Sequence, residues 1–164
     1  MIFDQGIGDV FVVRVAGNVA DTDEIGTLEY GVGHLGTPLL VVLGHTKCGA
    51  VTAVCENAAL HGSIPQLVDN IIPAVEKTKL AFPSLTGKDL APEAVRFNVL
   101  QSMADILKRS EEVRHLIKAG KLMVVGAIYD ISTGAVTWIG GHPEQASFFT
   151  ADESVKKESN GGGH

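Results

Sequence analysis

Basic residues are the scarcer charge in this chain: 13 Lys and Arg stand against 19 Asp and Glu, a formal net charge of −6. A nucleic-acid binder shows a basic surface, so DNA and RNA are poor candidate partners. Aromatic residues are also few, at 5%, which leaves little to stack bases on. Only two cysteines occur, Cys48 and Cys55, with no framework spacing. That argues against a disulfide scaffold and for a reducing compartment. No apolar run approaches the ~20 residues that span a bilayer; the longest are "PLLVVLG" and "KLMVVGAI". The N-terminus lacks a basic stretch followed by an apolar one, so no signal peptide is expected there. Together these absences predict a cytoplasmic protein without membrane or nucleic-acid partners.

What is present fits one domain. The 164 residues are 45% hydrophobic and 20% charged, enough for a real core. Asp9–Gly17, "DVFVVRVAG", is a β-branched run bounded by glycine and predicts a buried strand. A helix is expected next, capped at Asp21 or Thr22 and stopped at Gly36. "PLLVVLG" predicts a second strand, and Cys48 to Gly62 a helix. "IPQLVDNIIPAVEKTKLAF" predicts a helix kinked at Pro73, and a long helix follows with Pro92 in its first turn. A short helix ends at Gly120. "KLMVVGAIYD" and "AVTWIG" predict two strands joined by a turn at "STG". Strands alternating with helices imply an α/β fold: a mostly parallel sheet flanked by helices, with an antiparallel C-terminal edge strand. Residues 1–149 form the expected domain. Phe148 and Phe149 are expected to dock, and 150–164 to be a flexible polar tail.

Two stretches invite a chemical reading. "GVGHLG", Gly31 to Gly36, matches the dinucleotide pattern but in the wrong place. That fingerprint needs a strand before it and a helix N-terminus after it. Here a helix precedes and a strand follows, so helix termination explains the glycines better. "LLVVLGHTKCGAV", Leu39 to Val51, is different. His45 would leave the C-terminal end of a parallel strand, where open α/β sheets gather ligands. Cys48 would sit in the first turn of a helix, where the dipole favours a thiolate. Imidazole and thiolate are good zinc ligands, and Gly49 beside them allows close backbone approach. The competing reading is a buried structural cysteine and a capping histidine, since two ligands alone do not make a zinc site. Cys55 is a poor third ligand. Seven helical residues separate it from Cys48 by about 10 Å, and it fits the apolar stripe of Val51, Val54 and Ala58. His34, His61 and His115 fall at helix ends or among charges, and His142, after the last strand, fits either role.

With His45 and Cys48 placed, the chain resembles the β-class carbonic anhydrases. The likeness runs from Ile2 to Gly140 and rests on "IFDQGIGDVFVVRVAGN", "TLEYGVGHLGTPLLVVLGHTKCGAV" and "GKLMVVGAIYDISTGAVTWIG", in the family's order. It implies zinc as cofactor, His45 and Cys48 as two of its ligands, and Gly49 near the substrate. The reaction implied is reversible hydration of carbon dioxide to bicarbonate. It also implies a homodimer or higher oligomer. The family's C-x-D-x-R motif, which supplies the third ligand and an Asp–Arg pair, belongs just upstream of "IFDQGIGD" and is absent from this sequence, as is the N-terminal helix used in dimer exchange. An impaired enzyme is therefore expected, or a non-catalytic binding or assembly relative. In the family, that motif ends a strand lying between those predicted at Asp9–Gly17 and Leu39–Leu43. Each buried, unpaired backbone group left by its loss would cost about 1–3 kcal/mol. The expectation is that another chain inserts a strand, that the flanking strands close up, or that the chain is part of a longer one.

Overall fold

The computed structural model describes residues 2–149. Helix α1 (Thr22–Glu29) begins where expected, because Asp21 and Glu24 form a reciprocal capping box. Asp21 also pairs with Arg109 at 3.0 Å. The chain then widens into a single π-helical turn, Tyr30–His34, and reverses at Gly36, whose φ of +68° suits glycine. Strand β1 (Leu39–His45) follows.

Helix α2 spans only Gly49–Cys55, not the stretch to Gly62 that the sequence predicts. Asn57 adopts φ +51°. Asn57 N–H donates to Val54 O, and Ala58 N–H to Ala53 O. This is a Schellman ending with asparagine in the glycine position. The helix predicted to kink at Pro73 is two helices, α3 (Ile64–Asp69) and α4 (Ile72–Ala81). Each carries a proline in its first turn, where no N–H is needed. Helix α5 (Gly87–Arg109) starts earlier than expected, so Pro92 lies inside it. Ser110 caps α6 (Glu111–Lys118), its Oγ accepting from Val113 N–H at 3.1 Å. Gly120, at φ +67°, ends that helix. Strands β2 (Met123–Tyr129) and β3 (Val136–Gly140) complete the order.

The sheet is mixed and three-stranded, in the order β1-β2-β3. β1 and β2 run parallel, with Leu39 beside Met123 and His45 beside Tyr129. β2 and β3 run antiparallel. Helix α5 crosses one face of β1 and β2 and also meets α2, α4 and α6. It comes close because Gly44 and Gly126 leave room for Val99 and Met103. Buried Leu40, Val42, Val99, Met103, Leu107 and Val124 form one part of the core, against which Phe148 packs. Val51, Cys55, Ile71, Val75, Leu90 and Val95 belong to the other. No helix among the described residues is long and apolar enough to cross a membrane. The tail expected at 150–164 lies outside the described residues.

The strand predicted at Asp9–Gly17 does not form. Residues 10–15 have no strand partner, although Val15 is extended (φ −142°, ψ 151°). Its end is pinned instead: Asn98 Nδ2 donates to Gly17 O and Ser102 Oγ to Asn18 O, both at 2.6 Å. Val10, Phe11, Val12 and Arg14 are exposed, and this segment and β1 do not close up into a pair. Nearby, Asn18 Nδ2 and Asn98 Oδ1 are buried without a hydrogen-bond partner.

Candidate metal centre

The residues of interest lie where β1 ends. His45 is the last residue of β1 and is half-buried. Its Nδ1 lies 2.9 Å from Thr46 O. A carbonyl only accepts, so in this contact Nδ1 carries the proton and Nε2 keeps its lone pair. An imidazole held this way is oriented for metal ligation through Nε2.

Thr46 is itself anchored. Its N–H donates to Tyr129 O at 2.9 Å. Its Oγ1 accepts from Ile131 N–H at 3.2 Å and donates to Asp130 Oδ1 at 3.5 Å. Asp130 also accepts from Ser132 N–H at 2.8 Å, and these hydrogen bonds, chiefly that of Ser132, lower its carboxyl pKa below the ordinary value. Lys47, at φ +56°, reaches Ser132 Oγ at 3.1 Å. The loop after β1 is thus tied to the turn after β2. The parallel register brings these two strand ends together. Sequence reading passed over Thr46 and Asp130. Parallel pairing of β1 and β2 sets Asp130 beside Thr46, which "YDISTG" does not show by itself.

Cys48 is buried, a free thiol, and stands at the N-cap of α2. Its carbonyl accepts from Thr52 N–H at 3.0 Å and from Thr52 Oγ1 at 2.8 Å. Gly49 is exposed, and nothing lies within 4 Å of where a Cβ would stand. Packing therefore does not require glycine there, and space is open in front of it. Cys55 is buried in the core with a thiol pKa raised by burial, in keeping with core filling.

The other histidines lie elsewhere. His34 rests its ring against Tyr30 at 5.2 Å, while His61 and His115 are exposed. His142 follows β3, whose end pairs with Gly126 and runs away from Tyr129, so it sits toward the opposite end of the sheet from His45. Its Nδ1 accepts from Glu144 N–H at 3.1 Å. Among the described residues, no three His, Cys, Asp or Glu side chains gather where a metal ion could be held. A catalytic zinc takes three protein ligands. His45 and Cys48 suit zinc in kind, but they are a partial set.

The carbonic anhydrase family profile matches residues 1–136. Carbonic anhydrase 2 of Mycobacterium tuberculosis is 36% identical over 138 residues, covering 82% of this chain and 64% of that protein. A carbonic anhydrase of Synechococcus elongatus is 31% identical over 148 residues, covering 85% and 54%. The chain thus spans less than two thirds of the length of these relatives. Among solved structures, the β-carbonic anhydrase of Aspergillus fumigatus superposes with a TM-score of 0.81 at 28% identity, covering 92% of this chain and 74% of that one. One of two tetrameric β-carbonic anhydrases from Sordaria macrospora shares the fold, with a TM-score of 0.77 at 23% identity over 85% and 72% of the two chains. On the family match across residues 1–136, this chain belongs to the β-class carbonic anhydrases.

Proposed function

We propose that His45 and Cys48 are zinc ligands of a carbonic anhydrase centre that this polypeptide holds in part. The centre's reaction is reversible hydration of carbon dioxide to bicarbonate once donors beyond residues 2–149 complete it. The observation that carries the reading is the contact between His45 Nδ1 and Thr46 O, which leaves Nε2 available, three residues before a free thiol. Zinc, when bound, supplies Lewis-acid activation of water near neutral pH. The chain's own part is to orient the imidazole through Thr46, present the thiol at the start of α2, and leave space in front of Gly49 for a small substrate.

The partial ligand set favours a second outcome for the 164-residue polypeptide taken alone: weak zinc binding and hydration near the uncatalysed rate, with the chain acting as a non-catalytic assembly relative. Both cysteines are free thiols, which supports a reducing, cytoplasmic setting. The chain self-associates, as a free strand edge favours and as the tetrameric Sordaria macrospora proteins do.

Zinc stoichiometry by elemental analysis tests the ligands. His45→Ala and Cys48→Ser are each expected to lower bound zinc; unchanged stoichiometry in both would remove the assignment. Stopped-flow hydration of carbon dioxide by the zinc-loaded polypeptide tests completeness. Turnover typical of an enzyme would show that the centre is whole.

A further inference from the structure

Thr46 and Lys47 separate the proposed ligands His45 and Cys48. Both are held from outside their own segment, and by the same element, the turn that joins β2 to β3. Thr46 N–H carries the parallel ladder one bond past His45, to Tyr129 O. Its hydroxyl then meets Ile131 N–H and Asp130 Oδ1. Lys47 Nζ donates to Ser132 Oγ. Lys47 also takes φ +56°, a left-handed conformation that costs a non-glycine residue free energy and persists where neighbours enforce it.

The turn is fastened on its own account. Asp130 N–H donates to Ala135 O and Gly134 N–H to Asp130 O, both at 2.8 Å. Asp130 Oδ1 accepts from Ser132 N–H and receives the Thr46 hydroxyl as well. One carboxylate oxygen therefore ties the turn to the loop that carries the ligands, and its lowered pKa keeps it a pure acceptor at neutral pH. What Thr46 is tied to matters, because Thr46 O is the group that holds the His45 proton on Nδ1. That acceptor is backbone, so the orientation of its peptide is the only lever on it. Were the peptide free to turn, Nδ1 would lose its acceptor and the proton would be free to settle on Nε2, the atom that ligation needs.

We infer that Asp130 is a positioning residue for the proposed zinc centre: through Thr46 it keeps the His45 proton on Nδ1 and the imidazole aimed to ligate through Nε2. The inference rests on the zinc reading above and places part of that centre's outer support on a turn far along the chain. Outer partners of metal-bound histidines are worth about 10–100-fold in metal affinity. A turn that merely stitched two strand ends would affect stability and leave the tautomer alone.

Nitrogen-15 NMR of the metal-free polypeptide at pH 8 reads the tautomer, with the His45 signals assigned by their loss in His45→Ala. The wild type is expected to carry the proton on Nδ1, and Asp130→Ala to show a mixture with the Nε2-protonated form. Asp130→Asn, whose amide oxygen accepts the same two bonds, is expected to restore the wild-type spectrum. In competition with a chromophoric chelator, Asp130→Ala is expected to bind zinc at least about tenfold more weakly and Asp130→Asn within about twofold of wild type. Thr46→Val removes the hydroxyl from the other side. It is expected to match Asp130→Ala, with little added in the double variant, and it carries the test should Asp130→Ala fail to fold. An unchanged tautomer in either folded variant overturns the inference, and so does an Asp130→Asn that behaves like Asp130→Ala. If His45→Ala holds as much zinc as wild type, the zinc reading falls and the effect of Asp130 on zinc falls with it, while the tautomer comparison still decides whether Asp130 orients His45.

Discussion

At Gly44 there is no room for a methyl group. A Cβ there would stand 2.6 Å from Val99 Cγ2 and 3.3 Å from Val95 Cγ1. Gly44→Ala is expected to cost about 1–3 kcal/mol through overpacking, read as a lower urea midpoint, and Val99→Ala should recover part of that loss. His142 offers a pH test. Burial lowers its imidazole pKa below the ordinary 6.5, with Lys77 and Lys108 acting the same way and Glu144 opposing. Its neutral Nδ1 accepts from Glu144 N–H, and its ring lies 5.2 Å from Phe148. The folded state therefore binds fewer protons here than the unfolded chain. The contribution is complete above about pH 6.5 and is lost as pH falls through the depressed value. His142→Gln should flatten that part of the stability profile when urea unfolding is compared at pH 7.5 and 5. At this scale the placement of His45 at a strand end and Cys48 at a helix start was legible, because an apolar run ending in H-x-x-C marks a strand-to-helix switch. Thr46 and Asp130 were not, because their meeting depends on how two distant strands pair.

Elements were legible where their ends carry side-chain signals. The Asp21–Glu24 box starts α1, and Gly120 stops α6. Ser110 shows how much one cap can join. Its Oγ accepts from Val113 N–H and donates to Glu29 Oε1 at 2.6 Å, linking α6 to α1. Ser110→Ala is expected to lose about 1–2 kcal/mol, measured by thermal or urea unfolding. Length was misjudged where the stop is less conventional. Asn57, in a left-handed conformation, ends α2 five residues before Gly62, where the sequence places the helix end. Pro73 was read as a kink, but Ile71 is fully buried between two separate short helices. Asp9–Gly17 has strand composition without a strand's neighbour. Composition states a preference, and a ladder needs a second chain segment to meet it.

The architecture as a whole followed from alternating strands and helices, including the parallel pair and the C-terminal hairpin. What the alternation did not reveal was the number of strands that find partners. The proposed centre shares that incompleteness: His45 ends β1, whose outer edge is free among the described residues, and Cys48 starts the next helix. Binding a metal to the native state but not to the unfolded chain raises the melting temperature, and a ligand at 100 times its Kd contributes about 2.7 kcal/mol. Added zinc is expected to raise the melting temperature of the wild type, and His45→Ala should abolish that shift in differential scanning fluorimetry. A chelator should leave the protein folded, since both parts of the core are built chiefly from apolar packing, with Cys48 the one proposed ligand among their residues.

The clamp of Asn98 and Ser102 on Gly17 and Asn18 makes the ordering of the N-terminal segment a tenant of α5. Amide deuteration should reveal the hierarchy. The slowest protons are expected in the middle of α5 and require global opening, whereas those of Val10 to Arg14, which make no backbone hydrogen bond within a single copy, should exchange far faster in the monomer. Removing one of these two bonds by Ser102→Ala should then speed exchange at the end of that segment, around Asn18.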